Sequence, residues 1–354
     1  MKFVNKQNLI IGTNYSFKYN AIKTQGEYLH ELLVENNIPS QIVSDFQGFL
    51  KRITHSCLAI LRLKSGQNII IQVYGTKSLY LEWLCAFIGK MKGHYVVLTL
   101  HGGDIPEMYF NSKIKRFFFN GLFGRADLIT APSEYLFIEL EKRGAGLVGN
   151  SLKVIRNFID LDEYCVENNK KLANGIFWMR AFHEVYDPIL ALHCLQELLK
   201  SGYDFKLYMA GPDKGFLNAT IEEIKRLDLE NNVICLGKID NAKKCEIASK
   251  CLLYLNTTKI DNSPVTFLEM MALGLPIVST NVGGIKYWVE NNKNALLTEL
   301  NNAIELSDKI KLLHDNHIVF ENIKSNNFLK VKEFSKDNVL MDWLSILQLS
   351  SPTN

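Results

Sequence analysis

Asp261 and Glu269 are two carboxylates eight positions apart, one just before a helix start and one inside the helix. A carboxylate in such a place suits a sugar diol, because it accepts two hydroxyl hydrogen bonds at once. The helix start is read from Asn262, Ser263 and Pro264, with Ser263 as N-cap and Pro264 at the first helical position. The apolar spacing of Phe267, Leu268, Met271 and Ala272 carries the helix to Gly274. At its start the amides of Val265, Thr266 and Phe267 lack partners within the helix, and the helix dipole adds partial positive charge. That end is an anion site, and a diphosphate is its obvious guest. Two further groups invite chemistry. His101 leads the run His101, Gly102, Gly103, where glycines allow close approach of backbone to ligand, and Arg180 is a cation directly after an apolar run.

These residues need elements to position them. An apolar strand over 252–256 precedes the polar loop 257–263, and a second buried strand over 275–280 follows the helix and runs into Val282, Gly283 and Gly284. Strand, loop, helix and strand make a nucleotide-binding half-unit of an α/β sheet. Upstream, strands over 8–12, 38–43, 68–73, 95–100, 126–131 and 152–155 alternate with helices over 25–35, 46–63, 79–92 and 134–143. After a polar, aperiodic stretch at 158–174, read as a linker, the pattern restarts with strands at 175–179, 205–211 and 233–237. Helices at 188–200, 217–229 and 242–250 separate those strands, and late helices are read at 301–313 and 334–349. Such alternation predicts an α/β chain with parallel, doubly wound sheets.

The 354 residues suffice for two ordinary domains, and the 47% apolar content predicts packed cores. A net charge of +3 is too small to suggest nucleic-acid binding. Seven cysteines, with no C-x-x-C pair, predict a reducing compartment. No run approaches the roughly 18 apolar residues of a membrane span, so a cytoplasmic protein is expected.

The stretch around Asp261 and Glu269 resembles the retaining glycosyltransferases of family 4, whose signature is two glutamates separated by seven residues. The likeness continues through Glu269, Met271, Ala272, Gly274, Pro276, Ile277, Val278, Gly283 and Gly284. Asp261 departs from the family by being one methylene shorter than glutamate. The resemblance implies the GT-B fold, two Rossmann-like domains facing across a cleft: an acceptor domain over 1–165 and a nucleotide-sugar domain over 166–333. The final helix, 334–349, would pack back on the first. It implies transfer of a sugar from a nucleotide-diphosphate sugar to a hydroxyl with retained configuration, on a glycan or lipid-linked glycan of cell-surface polysaccharide synthesis. Glu269 would hold the ribose, the Val265, Thr266 and Phe267 amides with Arg180 the diphosphate, and Asp261 with His101 the transferred sugar, beside Gly102. The family also has a lysine five residues after its arginine, where this chain has Val185; Lys259 or Lys238 could stand in. No cofactor and no metal are expected. Asp160 and Asp162 match D-x-D only at the linker, so metal-independent transfer is the expectation.

Residues 112–125, SKIKRFFFNGLFGR, alternate Phe117, Phe118, Phe119, Leu122 and Phe123 with Lys113, Lys115, Arg116 and Arg125. Such a helix either lies in an anionic membrane interface or faces the core with snorkelling cations. The first choice predicts peripheral contact with the inner face of the membrane. Two other readings stay open: a catalytically silent subunit of the same fold, and a nucleotide-sugar epimerase.

Overall fold

The computed structural model describes residues 6–14, 16, 23–46, 48–147, 151–164 and 174–347. The chain divides into two compact units, Met1–Phe158 with Lys336–Asn354, and Ile159–Ser335. Parts of three expected segments lie outside the described residues: 47 of the helix over 46–63, 165–173 of the linker, and 348–349 of the last helix.

The first unit is a six-stranded parallel sheet made of β1 (Asn8–Ile11), β2 (Ser40–Val43), β3 (Asn68–Val73), β4 (Tyr95–Leu100), β5 (Leu128–Ala131) and β6 (Ser151–Val154). Their spatial order is β2-β1-β3-β4-β5-β6. The interior strands β1, β3 and β4 are mostly apolar and buried along nearly their whole length, as sheets covered on both faces require. The crossover helices are α1 (Gln25–Glu35), α2 (Phe49–Arg62), α3 (Leu79–Met91), α4 (Ile105–Asn111), α5 (Lys113–Phe123) and α6 (Tyr135–Lys142). A capping box starts α1: Thr24 accepts from the Glu27 N–H, and the Glu27 carboxylate accepts from the Thr24 N–H.

The second unit repeats the plan with β7 (Gly175–Met179), α7 (Pro188–Lys200), β8 (Lys206–Ala210), α8 (Leu217–Arg226), β9 (Val233–Gly237) and α9 (Asn241–Ser249). It continues with β10 (Cys251–Asn256), α10 (Val265–Ala272), β11 (Ile277–Thr280), β12 (Ala295–Thr298), α11 (Ala303–Asp315) and α12 (His317–Lys332). The sheet order is β12-β11-β10-β7-β8-β9. Counted within the unit, this is 3-2-1-4-5-6, the order of dinucleotide-binding sheets, whose winding reverses between β7 and β10.

Helix α13 (Lys336–Ile346) belongs to the first unit, where Val339, Leu340, Trp343 and Leu347 pack with Leu29, Leu32 and Phe158. The division thus falls at Phe158 and Ile159, ahead of the expected 165 boundary. The stretch expected as linker is structured up to Tyr164. Phe158 joins the core of the first unit, while Ile159 and Tyr164 are buried in that of the second. Large apolar side chains spaced among its acids account for the difference.

Candidate functional site in the second unit

Two adjacent strands whose connections lead to opposite faces leave an open crevice beyond their carboxyl ends. Here those strands are β7 and β10, and each ends in a polar group. Arg180 follows Met179, and Asn256 closes β10. The Arg180 Nε donates to Asn256 Oδ1 at 3.1 Å, and its Nη2 donates to Asp261 Oδ2. The Tyr186 ring lies 5.0 Å from the guanidinium, in cation–π range. Asp261 Oδ1 accepts the Asn262 N–H at 2.8 Å, and the Asn256 amide donates to Ser279 Oγ at 3.0 Å. Burial works against the charge on Arg180, yet Asp261, with Tyr254 and Tyr186, raises its pKa above the ordinary arginine value. The cation is therefore permanent. A guanidinium has five N–H donors, and two of these bonds leave the others for an incoming anion.

The loop carrying Asp261 is held from below by hydroxyls. Thr257 Oγ1 accepts the Trp178 indole N–H at 2.9 Å and lies 2.8 Å from the Tyr186 and Asp187 carbonyls. Thr258 donates to the Ile260 carbonyl, and Thr280 to that of Thr258, at 2.8 and 2.6 Å. Gly283 and Gly284 close the loop from the other side. A Cβ on either would sit 2.0 Å from the carbonyl oxygen of Asp261 or Asn262, so only glycine fits. The Lys259 N–H donates to the Val185 carbonyl at 2.8 Å, while its ammonium lies 3.4 Å from Asp187 Oδ2. Lys259 thus stands beside the position where the expected lysine is missing. Lys238 is exposed after β9.

Helix α10 starts one residue later than expected. Pro264 takes φ −65° and ψ 116°, outside the helical region, and so occupies the capping position in place of Ser263. The Phe267 N–H is already engaged, donating to the Pro264 carbonyl at 3.1 Å. Among the described residues, the Val265 and Thr266 N–H groups have no acceptor. Of the three amides expected to face an anion, those two remain open.

Glu269 lies one turn further along. Its Oε1 accepts the Tyr164 hydroxyl at 2.9 Å and the Lys244 ammonium at 2.5 Å. Lys244 is nearly buried, also donates to Asn241 Oδ1 at 3.0 Å, and sits 5.4 Å from the Tyr164 ring. Sequence reasoning missed both partners. Tyr164 fell in the presumed linker, and Lys244 is one of four lysines between 238 and 250 with no spacing to single it out. Asp160 Oδ1 accepts the Asp162 N–H at 3.2 Å, capping a short 3-10 turn.

The remaining candidates, His101 and Gly102, lie in the first unit at the end of β4. The His101 Nε2–H donates to Gln72 Oε1 at 2.5 Å, and the ring stacks on Tyr74 with centroids 5.4 Å apart. That leaves Nδ1 as an acceptor suited to a hydroxyl. Gly102 is required by its own neighbour, since a Cβ there would lie 2.6 Å from the Tyr74 carbonyl oxygen. Burial lowers the His101 pKa from 6.5 to about 4. The unfolded chain therefore takes up this proton first. The stability drawn from a neutral ring is full above pH 6.5 and is lost as pH falls toward 4. An NMR titration of the His101 ring is expected to show a midpoint near 4; a midpoint at the ordinary histidine value would contradict this environment.

Residues 166–329 match the family described as glycosyl transferases group 1. The chain is 26% identical over 288 residues to N-acetyl-alpha-D-glucosaminyl L-malate synthase of Bacillus anthracis, covering 73% of this chain and 72% of that protein. It is 27% identical over 144 residues to poly(ribitol-phosphate) alpha-N-acetylglucosaminyltransferase of Staphylococcus aureus, covering 40% of this chain and 28% of that one. The crystal structure of Anabaena Alr3699/HepE in complex with UDP and glucose superposes with a TM-score of 0.74 at 19% identity, covering 97% of this chain and 100% of that one. The chain therefore has the GT-B fold and carries, over residues 166–329, the domain of a group 1 glycosyltransferase enzyme.

Proposed function

We propose that the chain moves a sugar from a nucleotide-diphosphate donor to a hydroxyl with retention of anomeric configuration, in the synthesis of a surface glycan. The observation that carries this is the polar cluster at the winding reversal between β7 and β10, where a charged Arg180 is held by Asp261 and Asn256. In this reading the unspent N–H groups of Arg180 and the amides of Val265 and Thr266 bind the diphosphate and stabilise its charge as it leaves. Lys259 supplies the cation that position 185 lacks. Glu269 holds the ribose, and Asp261 orients the transferred sugar. The leaving phosphate takes the acceptor proton, so no side-chain base is required. Both relatives are named for an alpha-glucosaminyl group, which favours N-acetylglucosamine as the sugar. Since Arg180 and backbone amides neutralise the diphosphate, EDTA is expected to leave turnover unchanged. Calorimetry with UDP-, GDP- and ADP-sugars tests the donor side. The wild type is expected to bind one class, and Arg180→Lys, which keeps the charge but loses the fork, should weaken it about tenfold or more. Equal affinity in the variant would overturn the assignment.

The first unit is the proposed acceptor side, and it bears on whether the acceptor is lipid-linked. Not all of the large apolar residues in α5 are available to a membrane: Phe119, Leu122 and Phe123 are buried in the core, and Phe118 packs on Trp83 and Tyr80. Phe117 and Ile114 are exposed, at 68% and 65%. Helix α3 packs against both α5 and α2, and α2 adds exposed Leu50, Leu58 and Leu61. Across α2, α3 and α5 the one acid is Glu82, which is buried, while Lys51, Arg62, Lys113 and Lys115 share the surface with the apolar groups. Among the described residues no helix is long and apolar enough to cross a membrane. We propose peripheral binding to anionic lipid through this face, each cation contributing about 1 kcal/mol near the surface. Phosphatidylglycerol vesicles at low salt should retain the protein, and Leu58→Gln with Phe117→Gln should release it. Wild-type protein that ignores such vesicles would favour a soluble acceptor.

A further inference from the structure

We infer that Lys244 and Tyr164 are positioning residues that set the Glu269 carboxylate for the ribose of the nucleotide, and so create the selectivity for ribose hydroxyls. The inference rests on the proposed donor site and adds residues that the sequence motif does not contain. A carboxylate offers about four lone-pair positions on two oxygens. Both protein donors converge on one of them, Oε1, from two different elements: Tyr164 from the turn after the 3-10 segment Leu161–Glu163, and Lys244 from α9. Among the described residues Oε2 has no partner. A pair that served only to fasten α9 to α10 would have no reason to leave one oxygen open. Burying a charged lysine is also a poor route to stability, because the desolvation cost offsets most of the attraction.

The surroundings fix Lys244 as firmly as Lys244 fixes Glu269. Its ammonium donates to Asn241 at 3.0 Å, and Asn241 in turn donates to Glu163 at 2.6 Å, beside Tyr164. The Lys244 side chain is 8% exposed and that of Glu269 13%, so neither swings freely in solvent. The result is a carboxylate with one oxygen anchored and its plane set, ready to accept from a diol through the other. Pre-organisation of this kind acts on selectivity, since a loose carboxylate must be ordered by the ligand itself.

The test uses the full-length protein and nucleotides of known structure. UDP, GDP and ADP are titrated by calorimetry, followed by the 2′,3′-dideoxy form of the tightest binder. The wild type is expected to prefer the ribose form by about tenfold or more, as charge-assisted hydrogen bonds imply. Tyr164→Phe and Lys244→Met should each bring that ratio severalfold closer to one while leaving dideoxy affinity nearly unchanged, and Lys244→Arg should restore part of it. If Lys244→Met does not fold, Tyr164→Phe, which removes a single hydroxyl, decides the matter. Variants that weaken both nucleotides equally, keeping the ratio, would show that the pair only fastens two helices and would overturn the inference alone. A wild type without ribose preference would remove both the inference and the ribose role of Glu269. A wild type that binds none of the three nucleotides would overturn the donor site itself.

Discussion

The candidate site of the second unit is organised around one largely buried ion pair, Arg180 with Asp261, set beyond the carboxyl ends of β7 and β10. Such a pair adds little net stability, because both charges must leave water. Its effect is positional. Arg180 sits where the winding of the sheet reverses, so no crossover helix covers it, and Asp261 sits on a loop that would otherwise be free to move. Removing either partner would leave a buried charge without compensation, a far greater cost than the pair ever contributes. The surrounding residues follow from that constraint. Asn256 occupies the second arm of the guanidinium, Thr257 and Thr258 satisfy loop carbonyls, and Gly283 and Gly284 let a second backbone pass within contact of Asp261 and Asn262. On the far side of the arginine, Gly211 is forced as well, since a Cβ there would lie 1.9 Å from the Arg180 carbonyl oxygen.

Much of this was legible in the chain itself, for physical reasons that can be named. Buried parallel strands are mostly apolar runs, so β3, β4 and β7 lie where the runs fall, and the amphipathic period places α1 and α7 equally well. Elements that pack with weak periodicity were missed. Helix α12 has polar residues on most sides, β12 spans four residues, and α4 is a short helix behind a glycine turn. The start of α10 was misplaced by one residue because a proline can either cap a helix or begin it, and ψ decides which.

The site divides along the same line. Local motifs pointed to Asp261, Glu269 and the two glycines, because all four fall in one continuous stretch of the chain with a strand, loop, helix and strand pattern. Lys244 and Tyr164 act on Glu269 from 25 and 105 positions away. A lone lysine on a helix carries no mark of the partner it will meet. The aromatic helix α5 shows the reverse error: its phenylalanines look alike in sequence, but the helical rotation buries Phe119 and Phe123 while turning Phe117 outward.

The most direct test of the account is a crystal structure of the chain with the nucleoside diphosphate it binds. Phosphate oxygens are expected within about 3 Å of Arg180 and of the Val265 and Thr266 amides, with Arg180 still bonded to Asn256 and Asp261. Phosphates bound elsewhere, with those two amides and the free N–H groups of Arg180 untouched, would contradict it.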